Sequence, residues 1–276
     1  AVTPRPIEVQ KYKAASAKGL NREGNENRDS ILRTVAAVRR RGDPASGSAP
    51  IRPYRDLERL VFCFGSVDVH LSYYYKKYVE EKPLSDDDLR AIATGYVDFV
   101  ADLDTTTTTT EAAAGEEEEG RRRRPLDKLI VGIYPSPLRD EDVGASLLAY
   151  GSLETEDQVR AVNAAEDRTI ESRQARVDLF NRALRDRCEQ RNRDGTIDDR
   201  RWGRLEYWDV RDELLKRGDD DGRMMIKDDY KDVSDLNIHL IHETTLQLWV
   251  RKWPWYEALT ADTAAAGDGD GDGDGG

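Results

Sequence analysis

Three short runs limit what this chain can fold into: RLVFCF at 59–64, KLIVGIY at 128–134 and LEYWDV at 205–210. The first two are almost unbroken in apolar residues, not alternating, and the third is more mixed. A strand of that kind has to be covered on both faces, the condition of a parallel sheet wrapped by helices. Residues 7–12 (IEVQKY) read as a shorter first strand.

Helical periodicity fills the spaces between the runs. Ile31, Val35 and Val38 define one helix over 27–41, and Leu71, Tyr74, Tyr75 and Tyr78 mark a second. Ser85 begins a third, with Asp86, Asp87 and Asp88 in the first turn, where negative charge suits the helix dipole. Its inward stripe is Leu89, Ile92, Ala93, Tyr96, Val97 and Val100. Val143, Leu147 and Leu148 suggest a short helix, and Thr155 with Gln158 has the spacing of a capping box. A long helix over 169–191 turns Val177, Phe180, Leu184 and Cys188 inward. Residues 211–216 and 243–253 are expected to be helical, the latter with Leu246, Trp249 and Val250 inward. Strands thus alternate with helices, which predicts an α/β, three-layer parallel sheet with helices on both faces.

One domain is expected over 1–260. Within it, residues 104–124 hold six threonines, four glutamates and four arginines in runs and offer no apolar face. That composition predicts a disordered insertion. A flexible Gly-Asp tail is expected over 261–276.

Charge and cysteine use narrow the function. The net charge is −12, and Asp268, Asp270, Asp272 and Asp274 of the tail contribute four of those charges. An acidic chain lacks the basic face that nucleic acid needs, and no apolar run approaches the ~18 residues of a membrane span. Neither nucleic acid nor membrane is expected as a partner. Cys63 and Cys188 are too few for a disulfide framework and sit in apolar patterns. They read as buried thiols of a reducing, cytoplasmic compartment.

Ligands of open α/β sheets bind beyond the carboxyl ends of the strands. Those ends carry Lys13–Gly19, Gly65–His70, Tyr134–Leu138, Asp209–Arg211 and the loop of His239. Ser16 lies in a run of small residues and is a candidate nucleophile. Gly65 permits a sharp turn, and Asp68 either anchors that turn or meets substrate. His70 and Ser136 read as structural. Asp235, Asn237 and His239 form the richest constellation, a base with an acid and an amide close by. Their alternative role is to cap the last helix. No metal ligand set and no organic cofactor is expected.

The order of these features resembles the SGNH (GDSL-like) hydrolase superfamily over about residues 7–250. That family has a flavodoxin-like α/β fold, which the resemblance implies here; in it a serine follows the first strand, a Gly-x-Asn-Asp turn follows a middle strand and an Asp-x-x-His lies near the C-terminus. The resemblance implies Ser16, Asp235 and His239 as the catalytic set, with Gly65, Asp68 and Asn237 at the oxyanion or substrate. Three departures are visible: Ala-Ala precedes Ser16, Val67 stands in place of the asparagine, and the acid and histidine are spaced Asp-x-x-x-His. The implied activity is hydrolysis or transfer of an acyl ester, with a small-molecule or carbohydrate ester substrate as the expected partner. A non-catalytic sugar or nucleotide binder using Lys13, Lys18 and Arg211 is the first alternative. An interaction protein using Trp249, Trp253 and Trp255 is the second.

Overall fold

In the computed structural model, β1 (Arg59–Phe62), β2 (Asp127–Val131) and β3 (Leu205–Trp208) form a parallel sheet in that order. Arg59 pairs with Asp127 and Phe62 with Ile130, while Lys128 pairs with Leu205 and Val131 with Trp208. The structure describes residues 16–41, 59–112, 126–194, 204–217, 224–231 and 248. The expected strand at 7–12, the tail, and nearly all of the expected last helix lie outside them; Leu248 is helical and buried.

Side chains leave a strand alternately, and this sorts the core into two faces. Phe62, Ile130 and Leu205 join one cluster with Leu89, Val97, Val177, Phe180 and Leu184. Leu129, Val131 and Trp208 join the other, with Val210, Leu214, Ile226 and Leu248. Both faces of the small sheet are therefore buried, as the unbroken apolar runs require. The observed architecture is a mixed α/β fold with a three-stranded parallel sheet. A separate antiparallel pair, β4 (Leu215–Arg217) with β5 (Met224–Ile226), takes residues expected to continue a helix. Helix α8 covers only Arg211–Leu214.

The first face is packed by α4 (Asp86–Ala112) and α7 (Ile170–Asp194). All six expected stripe residues of α4 are buried. Its start is fixed reciprocally, Asp88 N–H donating to Ser85 Oγ at 3.1 Å and Ser85 N–H to Asp88 Oδ2 at 2.9 Å. Helices α1 (Ala17–Leu20) and α2 (Glu26–Arg41) lie against α4, Ile31 and Val35 inward. A π-helix (Asp68–Ser72) leads into α3 (Tyr73–Tyr78), followed by α5 (Val143–Ala149) and α6 (Glu156–Ala164). The capping box of Thr155 and Gln158 is formed at the start of α6.

Two expectations need correction. The backbone of α4 stays helical to Ala112, through the first residues of the stretch expected to be disordered. Threonine is a poor helix former, but extending an existing helix adds a hydrogen bond per residue at no nucleation cost. Residues 113–124 lie outside the described set. Cys63, the first residue after β1, is exposed, not buried; Cys188 is buried as expected.

Candidate active site

Ser16 sits immediately before α1 with an extended backbone, φ −114° and ψ 152°. Its Oγ accepts the Gly19 N–H at 2.9 Å, a helix cap of the usual kind. The bond uses an oxygen lone pair and leaves the hydroxyl proton to donate. The residue is half-buried.

Asp68 reaches this loop from the turn after β1. Its Oδ2 accepts the Ala17 N–H at 2.6 Å and its Oδ1 the Lys18 N–H at 3.2 Å. The residue is 1% exposed. It opens the π-helix, in which the Tyr73 N–H reaches back five residues to the Asp68 carbonyl. Short π segments recur at functional sites. The wider turn buries three consecutive residues, Asp68, Val69 and His70. Gly65 makes the turn possible: its φ is +115°, and a Cβ there would lie 2.6 Å from Phe180 Cε1 and 3.2 Å from Ile133 Cγ2.

Of the two roles expected for Asp68, the geometry gives it the anchor, since both carboxylate oxygens are occupied by backbone donors. His70 Nε2 donates to the Tyr134 carbonyl at 2.8 Å, tying the β1 turn to the end of β2. Ser136 is buried, its Oγ accepting the Leu138 N–H at 3.4 Å. Both are structural residues. Asp68 is thus joined to the two residues that follow Ser16, Gly65 lies three residues before Asp68 in the same turn, and Lys13, Asp235, Asn237 and His239 lie outside the described residues.

Burial drives the Asp68 carboxyl up to about 6, more than its two backbone hydrogen bonds and the Lys18 charge pull it down. The ordinary value is 3.8. A raised pKa in the folded state means stability that is complete below the unfolded value and lost as pH rises through about 6. The gap corresponds to about 3 kcal/mol at most. Lys18 is the charged neighbour acting on the group, and His70 lies two residues along. The non-titrating variant Asp68→Asn isolates this effect. Urea titrations of both proteins from pH 7.5 to 4.5 should show the difference moving in favour of wild type as pH falls. A pH-independent difference would contradict the raised pKa.

Two groups missed in the sequence hold the loop after β2. Arg173 is 2% exposed and donates to the Leu138 carbonyl at 2.7 Å, the Arg168 carbonyl at 2.9 Å and Asp140 Oδ1 at 2.9 Å. Asn181 brackets Ile133, accepting its N–H and donating to its carbonyl, both at 2.8 Å. A signal for them was present. Arg173 and Asn181 lie four residues before Val177 and one after Phe180, on the inward stripe of α7.

At the end of β3, Arg211 is committed to carboxylates. It donates to Asp209 through Nε at 2.8 Å and Nη2 at 2.5 Å, and it pairs with Asp178. Burial raises the Asp209 carboxyl, but the Arg211 hydrogen bonds outweigh it and hold the group below the ordinary range. Arg211, one of the three cations named in the anion-binding alternative, is thus paired with two carboxylates.

No protein-family model matches the chain, and neither a curated protein nor a solved structure is detectably similar to it. Among the described residues, no helix is long and apolar enough to cross a membrane.

Proposed function

We propose that this protein is a serine hydrolase or acyltransferase of SGNH-like, flavodoxin-like architecture, acting on an acyl ester, with carbohydrate esters as the expected class. The observation that carries this reading is the docking of the Ser16 loop onto the Gly65–Asp68 turn through the Ala17 and Lys18 bonds. Those two segments are 50 positions apart, and they meet where ligands of α/β sheets bind. They are also two of the three segments on which the resemblance rests.

In this reading Ser16 Oγ attacks the ester carbonyl and passes its proton to His239, which Asp235 orients. Collapse of the tetrahedral intermediate expels the alcohol, which takes the proton from His239. Water, or a second alcohol in a transferase, then releases the acyl group by the same steps. The side chain of Val67 cannot donate to the oxyanion, so the donors assigned are the Gly65 N–H and the Asn237 amide. Losing one such donor costs ~10²–10³ in rate, which makes this a slow enzyme on simple esters.

A fluorophosphonate tests the nucleophile directly. Intact-mass analysis should show one adduct per chain, peptide mapping should place it on Ser16, and Ser16→Ala should abolish it. A wild-type chain that stays unlabelled after prolonged exposure would overturn the hydrolase reading.

A further inference from the structure

We infer that Asp68 is a positioning residue: by accepting the Ala17 and Lys18 N–H groups, its carboxylate fixes where Ser16 Oγ stands above the end of β1. The inference deepens the hydrolase reading and rests on Ser16 being its nucleophile.

The first turn of a helix leaves its N–H groups without partners in the helix. In α1 each is accounted for: Ala17 and Lys18 donate to Asp68, and Gly19 donates to Ser16 Oγ. The next, Leu20, donates to the Ser16 carbonyl at 3.2 Å. Ser16 is therefore held from within its own turn and, through the two residues that follow it, by a carboxylate from a different segment. The anchor itself is rigid. Asp68 is closed into the π-helix by Tyr73, and two residues on His70 is tied to Tyr134 at the end of β2. A chain of hydrogen bonds and short backbone steps thus runs from β2 through the β1 turn to Ser16.

The same arrangement has a consequence for the oxyanion. Ala17 and Lys18 already donate to a carboxylate, so neither N–H is left for a developing oxyanion. A carboxylate is also a costly way merely to fasten a loop, since burial opposes its charge. Its advantage over a neutral side chain is two acceptor oxygens for two consecutive donors, and charge-assisted bonds that are shorter and stiffer.

The test uses Asp68→Asn, which keeps the size but replaces one acceptor oxygen by an amide NH2 that cannot accept a backbone N–H, and Ala17→Pro. Proline is favoured at the first helical position, and the extended Ser16 suits the residue before it. That variant deletes the 2.6 Å donor while leaving Asp68 in place. Amide hydrogen exchange is followed for residues 16–20 and for α7, with p-nitrophenyl acetate hydrolysis in parallel. In Asp68→Asn the Ala17 and Lys18 amides should exchange roughly ten- to a hundred-fold faster while α7 stays protected. In both variants kcat should fall by up to about 10²-fold with KM little changed. Unchanged protection of the two amides overturns the inference, as does a raised KM with kcat intact. If wild type is inert to the ester, the hydrolase reading and the catalytic role fall together, whereas the exchange data still decide whether Asp68 fixes the loop. Should Asp68→Asn fail to fold, Ala17→Pro carries the same kinetic comparison.

Discussion

On the proposed hydrolase reading, ester turnover is expected to vanish when either Ser16 or His239 is replaced by alanine, and the double variant should be little worse than either single one. Residues that act as one unit are not additive: once the nucleophile is gone, the base has no proton to take. The expected loss in kcat/KM is at least about 10³-fold, what a disabled catalytic set loses when binding and oxyanion contacts persist. The substitutions should leave the fold alone. Ser16 does cap α1, and losing that cap costs about 1 kcal/mol, so thermal melting of Ser16→Ala should fall only by a few degrees. The measurement is a set of steady-state assays with p-nitrophenyl acetate and a panel of acetylated sugars. Additive losses, or a double variant far worse than both singles, would show that the two residues act separately.

The largest stability effect is expected at Phe180. The residue is fully buried in the cluster that joins α4, α7 and the sheet. Its ring also forms the wall behind Gly65, with Cε1 2.6 Å from where a Cβ at that glycine would stand. Phe180→Ala should cost roughly 3–5 kcal/mol, transfer and cavity together. Urea unfolding reads this directly, and a loss below about 1 kcal/mol would place the ring outside the core. A double-mutant cycle adds a sharper check. Gly65→Ala alone suffers both the clash and a backbone at φ +115°. In the Phe180→Ala background the clash is gone and only the backbone strain remains. The pair should therefore lose less than the sum of its parts. Strict additivity would mean that the ring and the turn do not touch.

Only part of this fold could be read along the chain, and particular elements show where the boundary falls. The stripe of α4 from Leu89 to Val100 and that of α7 from Val177 to Cys188 are legible because helical periodicity is local. The capping box at Thr155 is legible for the same reason, since its partners are three residues apart. The apolar runs imply strands buried on both faces, because no half-exposed strand tolerates such composition. Tertiary structure decided the rest. Cys63, the first residue after β1, is exposed, and a threonine run continues a helix that upstream residues had already nucleated. Arg173 and Asn181 sit on an inward stripe as polar groups, tolerable only because distant carbonyls meet them.

The candidate site divides along the same line. The residue types of Ser16, Gly65 and Asp68 were visible as chemistry without a place. The bonds from Asp68 to Ala17 and Lys18 span 51 and 50 positions, and no periodicity encodes a partner at that distance. The sequence by itself determined the long helices and the three apolar strands and which residues could react, since propensity, capping and amphipathic phase act over a few residues. Which of those residues meet, and that Asp68 serves as an anchor, was decided by the packing of separate segments, where one buried carboxylate has to find its donors wherever the folded chain presents them.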